Sequence, residues 1–264
     1  MRPIALLTDF GTRDSYVGVM KGTIASVDAG IPVIDLTHDL PPQNLAAAWF
    51  CLLSAWEYFP PETVFVAVVD PGVGSQRRAI AIELDNKFLV GPDNGIFSGV
   101  LARSRPVAAI ELTNRDAWRV ANPSTTFHGR DIFAPVGARL ATGMPLKELG
   151  NAIDPDTLVQ FSLPEPVTSE SEIVGCIQYI DRFGNCIANI PQDAIAGQNW
   201  SVEVAGTRVS SGTTYSSAAT GEAIALIGSH GWLEIAVNGG SAREQLQLDW
   251  EMEMRVIFAL SKGN

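Results

Sequence analysis

Asp70 and Arg77 stand seven residues apart on either side of the turn Pro71-Gly72-Val73-Gly74-Ser75-Gln76. A carboxylate and a guanidinium held that close by a glycine turn can share a proton-handling task or hold a water. The turn follows the apolar run Val64-Phe65-Val66-Ala67-Val68-Val69, which predicts a buried strand with Asp70 at its carboxyl end. Open α/β sheets bind ligands beyond that edge. The stretch also fits a plain strand-to-strand turn, its Asp capping the backbone and Arg77 and Arg78 facing water.

Three further clusters offer chemistry. In Thr8-Asp9-Phe10-Gly11-Thr12-Arg13-Asp14 an acid again ends a strand, and one carboxylate there can accept both hydroxyls of a ribose. Asp9 and Asp14 equally suit caps for the following helix, and no G-x-G-x-x-G dinucleotide fingerprint follows. Thr126-Phe127-His128-Gly129-Arg130-Asp131 is a polar loop entering a helix, and the glycine after His128 leaves room beside its ring. His38, in Leu36-Thr37-His38-Asp39, reads as structural. Finally, Asp181-Arg182-Phe183-Gly184-Asn185 and Ser229-His230-Gly231-Trp232 lie between apolar strands. They suit hairpin turns, or a rim where an aromatic packs on a flat ring and amides read its edge. No two His, Cys or acidic residues show metal-ligand spacing, so no metal is expected, and no G-x-S-x-G marks a serine hydrolase.

The elements that must carry these residues divide in two. Over 1–165, strands at 3–8, 32–36, 64–69, 79–83, 87–90 and 107–112 alternate with helices. The helices are predicted at 14–27, with Asp14 as N-cap, and at 43–58, 96–103 and 131–142. Alternation predicts an α/β N-terminal domain with a mostly parallel sheet flanked by helices. Over 166–264, short strands at 173–180, 186–190, 200–204, 223–227, 232–237 and 252–259 predict a smaller all-β, barrel-like C-terminal domain. The 264 residues carry 18 Lys and Arg against 29 Asp and Glu, with no basic patch, so nucleic acid is not an expected partner. No apolar run nears the ~20 residues of a membrane span, and Cys51, Cys176 and Cys186 suggest no disulfide framework. With no signal-peptide pattern, a soluble cytoplasmic protein is expected.

In order along the chain, Thr8-Asp9-Phe10-Gly11, Asp70-Pro71-Gly72-Val73-Gly74, Gly91-Pro92-Asp93-Asn94-Gly95, Phe127-His128-Gly129-Arg130-Asp131 and Asp181-Arg182-Phe183-Gly184-Asn185 resemble one family. It is the S-adenosyl-L-methionine hydroxide adenosyltransferases, or SAM hydrolases, relatives of fluorinase and chlorinase. The resemblance implies attack of water or hydroxide at C5′ of S-adenosyl-L-methionine, giving adenosine and L-methionine with no cofactor or metal. It assigns Asp70, Arg77 and His128 to the water, Asp9 to the ribose, and Asp181 and Ser229 to methionine. Phe183 and Asn185 would line the adenosine end. His230 falls where halogenating relatives use an arginine on the methionine carboxylate. The resemblance further implies a homotrimer whose substrate sites lie between subunits. Halogenating relatives would carry an aromatic at Asp70, Thr at Val73, Ser at Gly129 and a loop inserted within Ile80–Lys87, so water is the expected nucleophile. A chlorinase-like halogenase and a non-catalytic adenosine-binding protein are the alternatives.

Overall fold

The computed structural model describes residues 1–259, so the last five residues of the expected second domain, 260–264, lie outside the described residues. Met1–Phe161 and Ser162–Asn264 form two compact units. In the first, β1 (Ile4–Thr8), β2 (Val33–Thr37), β3 (Val64–Val68), β4 (Ala79–Leu84), β5 (Lys87–Pro92), β6 (Ala108–Glu111) and β7 (Asn151–Ile153) form one sheet, ordered β2-β1-β3-β5-β4-β6-β7. The pairs β1·β2, β1·β3 and β3·β5 are parallel, whereas β4·β5, β4·β6 and β6·β7 are antiparallel. The expected mostly parallel sheet is therefore a mixed one. The reason is local: Asp85 and Asn86 both take positive φ (50° and 58°) and make a two-residue hairpin. Such a link can only reverse the chain, whereas a parallel neighbour needs a long crossover.

The parallel half positions the site. β1 lies between β2 and β3, so the connections leaving β1 and β2 diverge, and a crevice opens where β1 and β3 end. Asp9 directly follows β1, and Asp70 stands two positions past the end of β3. Side chains of these strands alternate between two layers. Ile4, Leu6, Val64, Val66 and Val68 pack with Met20 and Ile24 of α1 (Tyr16–Val27) and with the later helix Ala134–Ala141. From the other side of β3, Phe65 stacks on Trp56, which directly follows α2 (Leu45–Ala55).

Helix ends depart from the sequence expectations in instructive ways. The first helix is capped at Ser15 with no side-chain bond, not at Asp14. The second begins after Asn44, whose side chain accepts from the Ala47 N–H, a cap contributing about 1 kcal/mol. The helix expected near 96–103 is the single turn α3 (Ser98–Leu101). The one expected at 131–142 is a π-turn, Gly129–Phe133, running into α4 (Ala134–Ala141).

The second unit is all antiparallel: β8 (Val167–Thr168), β9 (Glu172–Ile180), β10 (Cys186–Pro191), β11 (Trp200–Val204), β12 (Thr207–Ser210), β13 (Ala223–Ile227), β14 (Trp232–Val237) and β15 (Glu253–Phe258). They run β12-β11-β15-β9-β10-β14-β13, with β8 pairing β9. Those strand pairs are antiparallel, and a single parallel bridge from Ser211 to Ala225 of β13 brings the two ends together, so the sheet is nearly closed and barrel-like. Ile173, Ile177, Val202, Leu233, Ile235 and Val256 belong to its buried core.

Candidate active site

The turn after β3 brings its acid and base together. Arg77 Nε donates to Asp70 Oδ1 at 2.9 Å and Oδ2 at 3.1 Å, and Nη2 donates to Oδ2 as well. Both side chains are buried (5% and 10% exposed), and the guanidinium lies 5.3 Å from the centroid of Phe133. Arg78 instead bonds Asp93 Oδ2 through Nε at 2.7 Å, and Asp93 Oδ1 accepts from the Val159 N–H. Of the two arginines, only Arg77 faces Asp70.

His128 completes the group, its Nδ1 2.7 Å from Arg77 Nη2. Guanidinium carries no acceptor, so Nδ1 must accept, and the neutral ring carries its proton on Nε2. Burial lowers the His128 pKa, the Arg77 charge lowers it further, and Asp70 and Asp131 oppose the change.

Two features of the sequence hold this triad in place. Gly74 adopts φ +77°, and a Cβ there would stand 2.3 Å from the Thr125 carbonyl oxygen. Only glycine therefore lets the Asp70–Arg77 turn lie against the loop leading to His128. Beyond His128, Asp131 is fully buried and accepts from Arg119 Nε (2.6 Å), Arg130 Nη2 (2.7 Å) and the Ser124 N–H (2.9 Å). Burial would raise its pKa, but these donors hold it well below the usual carboxylate range. Asn94 Nδ2 donates to the Val69 carbonyl at 2.8 Å, fixing the peptide before Asp70.

Asp9, Phe10, Pro42, Gln43, Val68, Asp70, Phe127, His128 and Gly129 are among the residues that line one cavity of about 320 Å³. The structure thus unites Asp9, Asp70 and His128, with Arg77 immediately behind. Asp9 Oδ2 accepts from the Gln43 N–H at 2.7 Å, leaving Oδ1 for another donor. Phe10, Tyr16 and Phe127 form an aromatic group at 5.3–5.9 Å in which Phe127 meets both other rings edge-to-face and Phe10 and Tyr16 are tilted. Gly129 is itself closely packed: a Cβ there would meet Met20 Sδ and Phe127 at 3.2 Å.

A second cavity, about 640 Å³, lies within the β-rich unit and is lined by Asp181, Phe183, Asn185, Tyr215 and Val237–Gly240. Asp181 accepts from the Phe183 and Asn185 N–H groups and from Asn185 Nδ2, all at 2.9 Å. Ser229 and His230 do not line it. His230 Nδ1 accepts from the Trp232 N–H, and Nε2 lies 3.2 Å from Glu234. Glu234 also accepts from Tyr215 Oη at 2.9 Å, and burial together with that bond pushes the Tyr215 pKa up to about 12. No sequence pattern marks Tyr215, a lone aromatic in a Ser- and Thr-rich loop. Asp131 and Asn94, by contrast, stood inside quoted motifs and lacked only an assigned role. Among the described residues no cluster of three His, Cys, Asp or Glu is placed to hold a metal ion, and no helix is long and apolar enough to cross a membrane.

A mixed α/β unit with an Asp-Arg-His group at its switch point, followed by a nearly closed β unit, defines a two-domain class. Residues 4–150 match the SAM hydroxide adenosyltransferase N-terminal domain, and residues 175–255 match the SAM hydroxide adenosyltransferase C-terminal domain. The chain belongs to the SAM hydroxide adenosyltransferase family. It is 41% identical to the (R)-S-adenosyl-L-methionine hydrolase of Thermus thermophilus, covering 97% of this chain and all of that one. A fluorinase of Actinopolyspora mzabensis is more distant, at 26% identity over 97% of each chain. An uncharacterized conserved protein of Thermotoga maritima, known from its crystal structure, superposes with a TM-score of 0.90. It is 35% identical, over 96% of this chain and 99% of that one.

Proposed function

We propose that this protein hydrolyses S-adenosyl-L-methionine to adenosine and L-methionine by attack of water at C5′. The observation that carries the reading is the half-buried Asp70–Arg77–His128 group at the wall of a cavity shared with Asp9. Identity to hydrolases exceeding that to a fluorinase supports water over halide. So does the carboxylate at position 70, which would repel an anion there.

The sulfonium makes C5′ electrophilic, and methionine leaves as a neutral thioether that needs no acid. The nucleophile is the obstacle: forming free hydroxide at pH 7 costs about 12 kcal/mol from water's pKa of 15.7. The site avoids that cost by holding neutral water. His128, its Nδ1 occupied by Arg77, offers Nε2–H as a donor and leaves the water's lone pair for carbon. His128 is then an orienting group, not the base. As the C–O bond forms the water becomes acidic, and its proton passes to Asp70 or to solvent. Arg77 holds Asp70 in place through both carboxylate oxygens. Asp9 accepts the ribose hydroxyls through Oδ1. Asp181 and Asn185 bind polar parts of the substrate, and Phe183 and Tyr215 pack on its flat ring. Ser229 and His230 act at the methionine end, His230 held by Glu234.

The same reading takes the protein as cytoplasmic and as a homotrimer with substrate between subunits, as the family resemblance implies. Sedimentation should then give the mass of three chains, and a monomer would refute the shared site. The activity is tested by incubation with the separate sulfonium epimers, with and without chloride. Adenosine and L-methionine should appear in equal amounts, faster from the (R)-epimer for which the Thermus relative is named. Accumulation of 5′-chloro-5′-deoxyadenosine, or adenosine binding without turnover, would overturn the assignment.

A further inference from the structure

The carboxyl ends of β1 and β2 are joined by contacts that the reaction chemistry does not require. Leu6 pairs with Asp35 but Leu7 with Thr37, so β2 carries one extra residue at Leu36. Bulges are rare in parallel pairs, and beside active sites they re-aim side chains. Here the slip brings buried His38 level with buried Thr8, and Thr8 Oγ1 lies 2.8 Å from His38 Nδ1. Nε2 of the same ring stands 3.0 Å from Asp35 Oδ1. Asp35 Oδ2 in turn accepts from Lys21 Nζ at 2.6 Å. Burial opposes ionisation of Asp35, but Lys21 and His38 hold its pKa below the ordinary value.

The Phe10 N–H donates to Thr8 Oγ1, which leaves the hydroxyl proton able to turn to His38 Nδ1. Nε2, on the other side of the ring, lies 3.0 Å from Asp35 Oδ1 without the alignment of a hydrogen bond. His38 also acts through its backbone, its carbonyl accepting from the Gly11 N–H at 2.7 Å. Gly11 sits at φ +68° and Gln43, which donates to Asp9, at φ +64°. The loop bearing Asp9 is therefore tied to the segment after β2 at Thr8, Asp9 and Gly11. Packing alone does not need a buried imidazole between a hydroxyl and a carboxylate.

We propose that His38 is a positioning residue for substrate binding, fixing through Thr8 and Gly11 the loop that presents Asp9 Oδ1 to the substrate. This rests on the reading of Asp9 as the ribose acceptor. The test measures KM and kcat for S-adenosyl-L-methionine in Thr8→Val, His38→Phe, His38→Asn and Asp9→Asn, and in Thr8→Val combined with Asp9→Asn. Thr8→Val keeps shape and removes only the hydroxyl, so it serves even where His38→Phe folds poorly. Thr8→Val and His38→Phe should each raise KM about tenfold, as loss of a buried hydrogen bond to a positioned group does, with kcat within about twofold. His38→Asn, whose amide reaches the place of Nδ1, should recover most of the loss. With Asp9→Asn already present, Thr8→Val should add little, because both act through one carboxylate. Raised KM in Asp9→Asn with unchanged KM in Thr8→Val and His38→Phe would overturn the role of His38 alone. So would effects of Thr8→Val and Asp9→Asn that multiply in full. Unchanged KM in Asp9→Asn would overturn the ribose reading and the proposed route through it.

Discussion

Arg77→Met should leave adenosine binding near its wild-type level while slowing cleavage of S-adenosyl-L-methionine by about 10³-fold or more. Arg77 does not line the cavity, so little direct contact with the nucleoside is lost. What is lost is the bond to His128 Nδ1 and, among the described residues, the one cation paired with the Asp70 carboxylate. Asp70 then loses the fork that fixes its orientation, and His128 is free to turn. Because the Arg77 charge is one cause of the lowered His128 pKa, that pKa, followed by NMR of the ring, should move up in the variant. It should not reach the free-histidine value, since burial is the larger cause. Arg77→Lys, a point charge with no fork to grip both carboxylate oxygens, should restore little. Turnover within about tenfold of wild type in Arg77→Met, with folding checked by thermal unfolding, would remove Arg77 from the mechanism.

Asp131→Asn should carry the largest stability cost, about 2–3 kcal/mol at pH 7, because it removes the ionised acceptor of Arg119, Arg130 and the Ser124 N–H. Arg119 and Arg130 are 41% and 30% exposed and can regain water, which keeps the cost below that of a wholly buried pair. The pH dependence has a definite sign. The folded pKa of Asp131 is depressed, so its contribution is fully present above the unfolded value of about 3.9 and is lost as pH falls through the folded one. Urea unfolding should therefore separate the variant from wild type at pH 7, with the gap closing progressively below about pH 4. A gap independent of pH would mean that the charge of Asp131 does not stabilise the fold. Turnover should fall as well, since Asp131 anchors the loop that presents His128.

Much of this arrangement could be read directly from residue types. Asp70 and Arg77 stood out as a possible pair because a carboxylate ended an apolar run and a glycine turn followed, whereas their grouping with His128 came only from the family resemblance. The strands at Trp200–Val204, Ala223–Ile227 and Trp232–Val237 were bounded by turn residues and appear at the expected positions. The mixed sheet was missed although Asp85-Asn86 is a hairpin signal, because alternation elsewhere outweighed two residues. Strand β12 was missed because Ala205-Gly206 at positive φ returns the chain for only four residues, Thr207–Ser210. Tertiary pairing produces the rest. The bulge at Leu36 exists only relative to β1, and nothing local distinguishes His38 from a core histidine. Tyr215 acquires a role only because folding sets it beside Asp181, Phe183 and Asn185.

The central claim, attack of water at C5′ directed by the Asp70–Arg77–His128 group, is tested most directly by turnover in ¹⁸O-enriched water. Mass spectrometry of the products should find the label in the 5′-hydroxyl of adenosine and none in L-methionine. Adenosine released without label would contradict the account.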